Sequence, residues 1–361
     1  MFALDNLKIG AFRGLRDLDL DGLGRVNLLV GPNNSGKTSI LEAVPIFCHP
    51  VDFLSWFDVT WRREAPLKPE KPFFMGMEWM FPHLRLGDGP VVSDQVTISG
   101  SGKCVVRSVR STYEIRTRVG AHAAPQQTAT PYQQRGAVIQ VEGRADSDPK
   151  SLSRAFELWE GETVALSEYQ GWPRLPVRTV SPVDHRSEAT QMAELSAVAR
   201  QGLIDWILKM LRSLDPEIRD IRILTPQENS PAIFIDYASS GLIPLSGFGD
   251  GVRRAFLIAL VLNSARGGVL LIDEIELALH VSALETLFSW LVRACEEFDV
   301  QLFATTHSLE AIDTMIHAER GDLSRIVGYR LKPSGGSVKA QRLEGQLLSR
   351  MRIEHGFDVR L

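Results

Sequence analysis

The chain lacks the features that mark secreted and membrane-spanning proteins. Its 361 residues include only three cysteines, Cys48, Cys104 and Cys295, with no C-x-x-C pair, which excludes a disulfide framework and a zinc site built from cysteine. No apolar run approaches the roughly 18 residues of a membrane-spanning helix. The first residues, MFALDNLKIGAFRG, lack the basic and then apolar layout of a signal peptide. We therefore expect a reduced, globular, cytoplasmic protein without a membrane partner.

The sequence also lacks an excess of charge and a long repeat. The 40 Lys and Arg residues are balanced by 44 Asp and Glu residues, which gives a formal net charge of −4. This balance argues against binding of nucleic acid by net positive charge alone, although it is compatible with a local basic face. The chain has no repeat of roughly 20 to 50 residues and no sustained heptad pattern, which excludes solenoids and long coiled coils.

Hydrophobic patterning predicts an α/β fold. Strands are predicted at 7–12 and 26–30, and a glycine-rich loop and a helix at 38–44 follow the second strand. Near the other end of the chain, fully apolar strands at 269–272 and 302–305 alternate with helices. Apolar strands that alternate with helices are typical of a parallel sheet covered on both faces. We predict a mixed β core of this kind.

The middle of the chain has a different pattern. Period-two stretches within 95–118 predict half-exposed antiparallel strands, and residues 188–214 repeat apolar side chains at helical spacing. We therefore expect an antiparallel β subdomain and a helical insertion inside the core fold. The predicted boundaries are an N-terminal lobe with the β subdomain at 1–150, the helical insertion at 151–218 and a C-terminal lobe at 219–361.

A phosphate-binding loop follows the strand at 26–30. Residues 31–38, GPNNSGKT, match G-x-x-x-x-G-K-[ST] between an apolar strand and a helix. The glycines let backbone N–H groups turn inward as an anion nest, and the N-terminus of the helix faces the phosphates. Lys37 is expected to reach the β- and γ-phosphates, and the Thr38 hydroxyl to bind Mg²⁺. The predicted nucleotide-binding residues of this segment are Gly31, Pro32, Asn33, Asn34, Ser35, Gly36, Lys37, Thr38 and Ser39.

Two carboxylates follow the apolar strand at 269–272. Ligands of a parallel sheet bind at the carboxyl ends of its strands, so Asp273 is expected beside the phosphate-binding loop. There Asp273 suits Mg²⁺ coordination, usually through water, and Glu274 is placed to polarise the attacking water. An acidic turn at a strand end is common by itself, but its pairing with the phosphate-binding loop favours catalysis. The sequence therefore predicts hydrolysis of ATP to ADP and phosphate with Mg²⁺.

A histidine follows the next apolar strand. His307 lies one helix and one strand after Asp273, so the connection should bring it to the same edge of the sheet. A histidine at a strand end is more often a hydrogen-bonded structural residue. In this context we interpret His307 as a catalytic sensor of the γ-phosphate.

A second glycine-rich segment, residues 245–251 (LSGFGDG), opens a later helix; we call it the signature loop. A serine and three glycines at a helix start form another anion nest, and an ordinary glycine-rich turn is the alternative. Because one nucleotide needs only one phosphate-binding loop, we expect this nest to contact ATP held by a second copy in a two-fold dimer. The residues predicted to do so are Ser246, Gly247, Gly249, Asp250 and Gly251.

Together these motifs resemble the ABC-type ATPase heads of the SMC, RecF and OLD (overcoming-lysogenization-defect) group. Residues 7–14 and 31–43 resemble the beginning of such heads. Residues 245–254, 271–276, 279–280 and 304–308 resemble the OLD family specifically. The resemblance covers both ends of the chain strongly and residues between them weakly.

The resemblance implies ATP-driven dimerisation of heads, as a homodimer or higher oligomer. It implies Arg13 near the adenine or the phosphates, and a D-loop with Glu276 and His280 that crosses the dimer. Leu277 and Ala278 depart from the group, which carries a polar residue and then a glycine there. OLD proteins carry a TOPRIM nuclease domain after the head, and too few residues follow the strand at 325–332 for one.

These observations lead to competing functions. The leading interpretation is an OLD-like ATPase that gates a separate effector, a TOPRIM-like nuclease, in anti-phage defence. The alternative is a RecF-like ATPase that binds DNA in recombination and repair, although RecF-type signature loops usually carry glutamine where this chain has Phe248, Gly249 and Asp250. A nucleotide-binding subunit of a membrane transporter fits least, because its signature is normally LSGGQ-like.

Two segments bear on the partner. Within 103–118 five cations accompany one acidic residue, Glu114, and form either a face that follows DNA phosphates or a solvated strand face. Residues 46–82 concentrate aromatic side chains, which form either a partner surface or part of the core. The five cations are Lys103, Arg107, Arg110, Arg116 and Arg118.

Overall fold

A computed structural model describes residues 2–64, 73–85, 91–93, 95–121, 131–145, 151–162, 174–225, 231–319, 321–335 and 337–360. In chain order its strands are β1 (Asn6–Phe12), β2 (Leu15–Leu20), β3 (Val26–Val30), β4 (His83–Arg85), β5 (Val91–Ser93), β6 (Val96–Ser101), β7 (Val106–Ala121), β8 (Pro131–Ala145), β9 (Leu152–Trp159), β10 (Val177–Val180), β11 (Ile218–Leu224), β12 (Ala232–Tyr237), β13 (Gly241–Pro244), β14 (Val269–Ile272), β15 (Gln301–Thr305), β16 (Ile326–Ser334) and β17 (Ser337–Glu344). Its α-helices are α1 (Lys37–Cys48), α2 (Phe53–Glu64), α3 (Phe73–Glu78), α4 (Glu188–Arg200), α5 (Ile204–Leu214), α6 (Asp250–Ser264), α7 (Val281–Glu297), α8 (Leu309–Ala318) and α9 (Gly345–Ser349).

The central sheet has the strand order β10-β14-β15-β3-β16-β17. Its neighbouring strands are parallel, except for the antiparallel pair of β16 and β17. Along β14, Val269 and Leu271 enter the core on one face of the sheet, and Leu270 and Ile272 enter the core on the other. A strand buried on both faces must be apolar at every position, as β14 is. The predicted α/β fold with a parallel core is confirmed.

The two faces of the central sheet carry different layers. On one face, α1 packs together with a six-stranded antiparallel sheet of order β2-β1-β6-β7-β8-β9. On the other face, helices α4 to α8 form the second core. Helix α6 lies at its centre, and its run 255–262 (AFLIALVL) is at most 4% exposed. A helix that is apolar all round is stable only when other elements surround it.

The antiparallel sheet is larger than the sequence pattern predicts. Strand β7 is one long strand where two short runs are expected, and it pairs with β8 from Val106 to Ala121. Strand β9 pairs with β8 from Leu152 to Trp159. The predicted boundary at residue 150 thus falls between two strands of one sheet, because strand pairing joins segments that composition separates.

The helical pattern at 188–214 belongs to two helices. Gly202 has a φ of 70°, in the left-handed region, and follows the end of α4. The N–H of Gly202 donates to Ala199 O, and the N–H of Leu203 donates to Val198 O, at 3.1 and 3.2 Å. These two bonds form a Schellman motif, which ends a helix at a glycine. The chain then turns and begins α5.

The aromatic residues of 46–82 lie mostly in the core. Phe47, Phe53, Trp56 and Phe74 are at most 3% exposed, whereas Trp61 and Trp79 are 52% and 62% exposed. The first four therefore cannot form a partner surface without unfolding. Among the described residues, no helix has both the length and the apolar character needed to cross a bilayer.

Candidate active site

Three neighbouring strands of the central sheet end at one edge, where the predicted site residues lie. Strand β3 leads into the phosphate-binding loop, β14 into Asp273 and Glu274, and β15 towards His307. The pairs Ile272↔Ala304 and Thr305↔Leu29 bring the strand ends level with one another. The parallel register therefore assembles one site from segments that lie far apart in the chain.

The phosphate-binding loop requires glycine at its two ends. Gly31 has a φ of 149° and Gly36 a φ of 84°, and α1 begins directly after Gly36. A Cβ atom at Gly31 would lie 2.7 Å from Leu331 O, and one at Gly36 would lie 2.5 Å from Leu15 Cδ2. Any side chain at either position would push the loop away from its neighbours. Pro32, Asn33 and Asn34 are exposed on the loop, Ser35 is buried, and Ser39 is half-buried.

Lys37 folds back into the loop. Its Nζ donates to Gly31 O and to Pro32 O, both at 2.8 Å, and the residue is only 6% exposed. Burial lowers the pKa of the Lys37 ammonium, and the nearby carboxylates of Asp273, Glu274 and Glu276 act in the opposite direction. The ammonium is thus positioned where the phosphates of a nucleotide would supply its counter-charge.

Thr38 and Asp273 meet across the sheet edge. The Thr38 hydroxyl donates to Asp273 Oδ2 at 3.0 Å, with Oδ1 at 3.3 Å. The Thr305 hydroxyl donates to Asp273 Oδ1 at 2.5 Å and accepts the Glu274 N–H at 2.8 Å. One threonine from β15 therefore orients both carboxylate-bearing residues that follow β14.

The Thr38 and Asp273 oxygens fit Mg²⁺. Mg²⁺ prefers hard oxygen ligands and usually takes one or two from the protein, with water and phosphate oxygens completing the octahedron. Among the described residues, no group of three or more His, Cys, Asp or Glu side chains could hold a metal ion. This donor set suits a metal shared with a nucleotide better than a metal held by the protein alone.

Glu274 lies on a constrained turn that a buried arginine supports. Its φ is 50°, in the left-handed region. Arg254, which is 0% exposed on α6, donates through Nη2 to Asp273 O at 2.7 Å and to Glu274 O at 2.8 Å. Its Nη1 donates to Ser181 O at 3.1 Å. The Glu274 carboxylate has no hydrogen-bond partner within the described part of the chain, which leaves it free to bind water.

Arg254 is a buried residue of the candidate site that sequence reasoning missed. Desolvation by burial lowers its pKa, and the acidic groups of Asp184, Glu274, Asp273 and Glu276 counteract this effect. The only signal in the sequence is the pair Arg253-Arg254 after the signature loop, within an apolar helix. Side-chain direction separates the two residues, because Arg253 points towards Asp250 at the surface.

His307 is held by its backbone. Its N–H donates to Glu276 Oε1 at 2.8 Å, and its carbonyl accepts from Arg360 Nη1 at 2.6 Å. The imidazole has no hydrogen-bond partner among the described residues. His307 is therefore half-buried at the predicted edge, with its ring available to a ligand.

The signature loop makes its hydrogen bonds to segments other than the phosphate-binding loop among the described residues. Helix α6 begins at Asp250, with Gly249 as its N-cap. The hydrogen bond that Arg186 Nη2 donates to Asp250 Oδ2 at 2.8 Å lowers the pKa of the Asp250 carboxyl. Within the described residues, no hydrogen bond joins residues 245–251 to residues 31–38. A Cβ atom at Gly251 would lie 2.8 Å from Ala278 O, so the signature helix packs closely on the predicted D-loop.

Arg13 and His280 have partners in their own chain. Arg13 has a φ of 51°, and its guanidinium contacts Glu42 on α1 at 2.6 Å. This contact places Arg13 beside the helix that follows the phosphate-binding loop. The His280 side chain caps α7 by accepting the Ser282 N–H at 3.3 Å. Contacts of these residues with a nucleotide or a second copy stay a prediction.

A cavity of about 810 Å³ adjoins the Thr38–Asp273 contact. It extends along α1 and α2 to the edge strand β10. Acidic partners hold three of its four arginines: Arg62 contacts Asp184, Arg63 contacts Glu42 and Arg174 contacts Asp52. The fourth arginine, Arg178, donates to Val177 O. Acidic partners thus neutralise most of the arginines of the cavity. The cavity is continuous with the candidate active site.

The basic run at 103–118 is largely paired within the fold. Lys103 contacts Asp299 at 2.5 Å, Arg116 contacts Glu114 at 2.8 Å, and Arg118 contacts Glu162. Arg107 donates to the carbonyls of Cys104 and Val106. Of the five cations, only Arg110 has no polar partner among the described residues. This run does not form a continuous free face for phosphates.

Two family models match the chain. The model described as "AAA ATPase domain" matches residues 3–95, which include the phosphate-binding loop. The model described as "AAA domain, putative AbiEii toxin, Type IV TA system" matches residues 137–313, which include the signature loop, Asp273, Glu274 and His307. The two matched segments therefore contain the strands whose ends form the site.

The chain is also similar to several curated proteins. The uncharacterized protein MJECL11 of Methanocaldococcus jannaschii is 33% identical over 113 residues, which are 31% of this chain and 98% of that protein. An ATP/GTP phosphatase of Helicobacter pylori is 22% identical over 86% of this chain and 87% of its own length. RecF of Vibrio campbellii is 44% identical over 52 residues, which are 14% of this chain and only 15% of RecF.

Solved structures include an SMC head bound to the C-winged helix domain of ScpA. It is 11% identical, with a TM-score of 0.49, and the match covers 94% of this chain and 98% of that chain. The SMC head domain from Thermotoga maritima is 14% identical, with a TM-score of 0.43 over 95% of this chain and 100% of its own.

Proposed function

We propose that the chain is an ATPase of the SMC/RecF type that hydrolyses ATP at the edge formed by β3, β14 and β15, and the two AAA ATPase family models and the local similarity to RecF support this. One observation carries the assignment to this edge. The hydroxyl of Thr38, in the phosphate-binding loop, lies 3.0 Å from Asp273 Oδ2. A phosphate-binding loop that touches a strand-end carboxylate in this way is the arrangement that a nucleotide and Mg²⁺ require.

The side chains at this edge have separate roles in ATP hydrolysis. Lys37 and the backbone N–H groups of residues 31–38 bind and orient the phosphates. Thr38 and Asp273 would hold Mg²⁺, which neutralises phosphate charge when bound. Glu274 accepts a proton from the attacking water, and His307 donates a hydrogen bond to the γ-phosphate. These roles agree with the free Glu274 carboxylate and the unpaired His307 ring.

We propose that two copies enclose two ATP molecules between them. The signature loop makes no hydrogen bond to the phosphate-binding loop of its own chain within the described residues, which supports a contact with the nucleotide of a second copy. The glycine-rich start of α6 provides N–H groups suited to a phosphate. A dimer of this kind would open when the ATP between its halves is hydrolysed.

For the biological role, we propose an OLD-like ATPase that gates a separate effector of the TOPRIM-like nuclease class. The motifs at 245–254, 271–276 and 279–280 support this role. A RecF-like role in DNA repair is the second candidate, and the 44% identity to RecF over 52 residues favours it. The pairing of four of the five cations in 103–118 within the fold weighs against direct DNA binding through that segment.

Turnover and assembly of the purified chain test this proposal. Phosphate release is measured with ATP in Mg²⁺ and in EDTA, and mass in solution is measured with and without ATP for wild type and Glu274→Gln. Exposed Glu285 on α7 provides a matched control as Glu285→Gln. We expect Mg²⁺-dependent turnover and an ATP-dependent dimer that persists in Glu274→Gln. Absence of Mg²⁺-dependent turnover would refute the proposal.

Duplex DNA separates the two biological roles. An OLD-like subunit should not bind DNA until its nuclease is added. Salt-dependent duplex binding that needs ATP and no other protein would instead favour the RecF-like role.

A further inference from the structure

Glu276 contacts the loop that carries His307 from within the same chain. Its Oε1 accepts the N–H of His307 at 2.8 Å and the N–H of Ser308 at 3.1 Å. Hydrogen bonds from N–H groups to an ionised oxygen are stronger than those between neutral groups. The Oε2 atom is buried and has no hydrogen-bond partner among the described residues. The carboxylate therefore directs all its hydrogen bonds in the described structure to this one loop.

Arg360 contacts the same loop from the other side. Its Nη1 donates to His307 O at 2.6 Å. The guanidinium is itself held by Asp358, through Nε to Oδ1 at 2.9 Å and Nη2 to Oδ2 at 2.6 Å. Val359, between these two residues, is 0% exposed in the core. Asp358 therefore fixes the Arg360 guanidinium in the position from which it donates to His307 O.

These contacts define where the His307 ring can lie. The imidazole has no hydrogen-bond partner among the described residues, so no side chain orients it directly. Its position follows from the backbone, whose N–H is held by Glu276 and whose carbonyl is held by Arg360. A small displacement of a catalytic group costs a large factor in rate, even when the altered residue does not touch the substrate.

We propose that Glu276 and Arg360 are positioning residues that hold His307 at the γ-phosphate of ATP. The inference rests on the proposed ATP hydrolysis. It assigns Glu276 a role within its own chain, where the family resemblance implies a contact across a dimer. It also makes the segment 358–360 part of the support of the active site.

Steady-state ATP turnover of Glu276→Ala, Glu276→Gln and Arg360→Ala tests the inference, with Glu285→Ala as a control on exposed α7. We expect Glu276→Ala to lower kcat about 100-fold while KM for ATP changes less than about 3-fold. Arg360→Ala should lower kcat about 10-fold, because it removes one charged hydrogen bond. Glu276→Gln should retain kcat within about 5-fold, since its amide oxygen still accepts both N–H groups.

The conservative variant separates positioning from a direct role. If Glu276→Gln loses as much activity as Glu276→Ala, the negative charge itself takes part in the reaction and the positioning role is wrong. An unchanged kcat in Glu276→Ala would also overturn the inference.

Hydrogen exchange without nucleotide provides a readout that does not need turnover. The amides of His307 and Ser308 should exchange about 10-fold faster or more in Glu276→Ala than in wild type or Glu285→Ala. Unchanged exchange would overturn the inference even if ATP hydrolysis is established. If the wild-type protein does not hydrolyse ATP, the proposed function fails, whereas faster exchange would still support the contact of Glu276 with the loop.

Discussion

Arg254→Met tests whether α6 supports the turn that carries Glu274. The Arg254 guanidinium is fully buried and donates to the carbonyls of Asp273, Glu274, Ser181 and Pro182 at 2.7, 2.8, 3.1 and 3.4 Å. Methionine resembles the aliphatic part of the arginine side chain but donates no hydrogen bond. Four carbonyls therefore lose a charged donor, while the packing of the stem is largely kept.

The expected magnitude follows from two opposing effects. Each hydrogen bond from a charged group contributes about 1.5 to 3 kcal/mol, so the loss of four is large. Methionine also removes the cost of burying a cation, which is several kcal/mol and which is visible in the lowered pKa of Arg254. The net loss in the free energy of unfolding should be about 3 kcal/mol. Because the Glu274 turn loses its support, kcat should also fall about 100-fold.

Urea unfolding followed by circular dichroism measures the first effect, and ATP turnover measures the second. The neighbouring Arg253→Met is the matched control, because half-buried Arg253 makes a single hydrogen bond, to Asp250 at 3.3 Å. Its stability should change by less than about 1 kcal/mol. If Arg254→Met unfolds at the same urea concentration as wild type and turns over ATP normally, the proposed support of the turn by Arg254 is refuted.

Four further predictions concern single groups. Lys37→Ala should weaken ATP binding about 100-fold or more in a titration with a fluorescent nucleotide, because the ammonium pairs with the phosphates; unchanged affinity would contradict its role. Glu274→Gln should keep ATP affinity but lower kcat about 100- to 1,000-fold, and normal turnover would exclude it as the group that activates water. Gly249→Asp should impair hydrolysis by like-charge repulsion without changing ATP affinity of its own chain, and a wild-type rate would count against the enclosed dimer. Burial raises the pKa of the Glu319 carboxyl to about 7, so the folded state favours the protonated acid. The stability that this group contributes should therefore be lost as the pH rises from the pKa of the carboxyl in the unfolded chain through about 7. Glu319→Gln should flatten this pH dependence of the free energy of unfolding in urea, and an unchanged dependence would contradict the role of Glu319.

The phosphate-binding loop could be predicted in detail because its determinants are local. Gly31 and Gly36 have φ values that other residues rarely adopt, and Lys37 begins a helix directly after them. Such a loop requires its residue types at fixed spacing wherever it occurs, so the pattern alone identifies it. The same reasoning placed Asp273, Glu274 and His307 at one edge, because parallel strands align their carboxyl ends.

The contacts that support these residues could not be predicted in the same way. Arg254 and Arg253 are adjacent and chemically identical, yet one is fully buried and the other contacts surface Asp250. The basic run at 103–118 looks free in the sequence, but Lys103 is paired with Asp299 and Arg118 with Glu162. Partners so distant in the chain are joined only when the sheets and helices pack.

The sequence by itself determined the α/β core and predicted the chemical groups of the candidate site. Periodicity and glycine geometry are short-range properties, so they can be read from neighbouring residues. The tertiary structure decided which of those side chains lack a hydrogen-bond partner among the described residues and which are hydrogen-bonded within the chain. It left the Glu274 carboxylate and the His307 ring without partners among the described residues, and it directed Glu276 to the His307 backbone. Hydrogen bonds of this kind form only when remote segments are positioned to within a few tenths of an ångström, and only tertiary packing sets those positions.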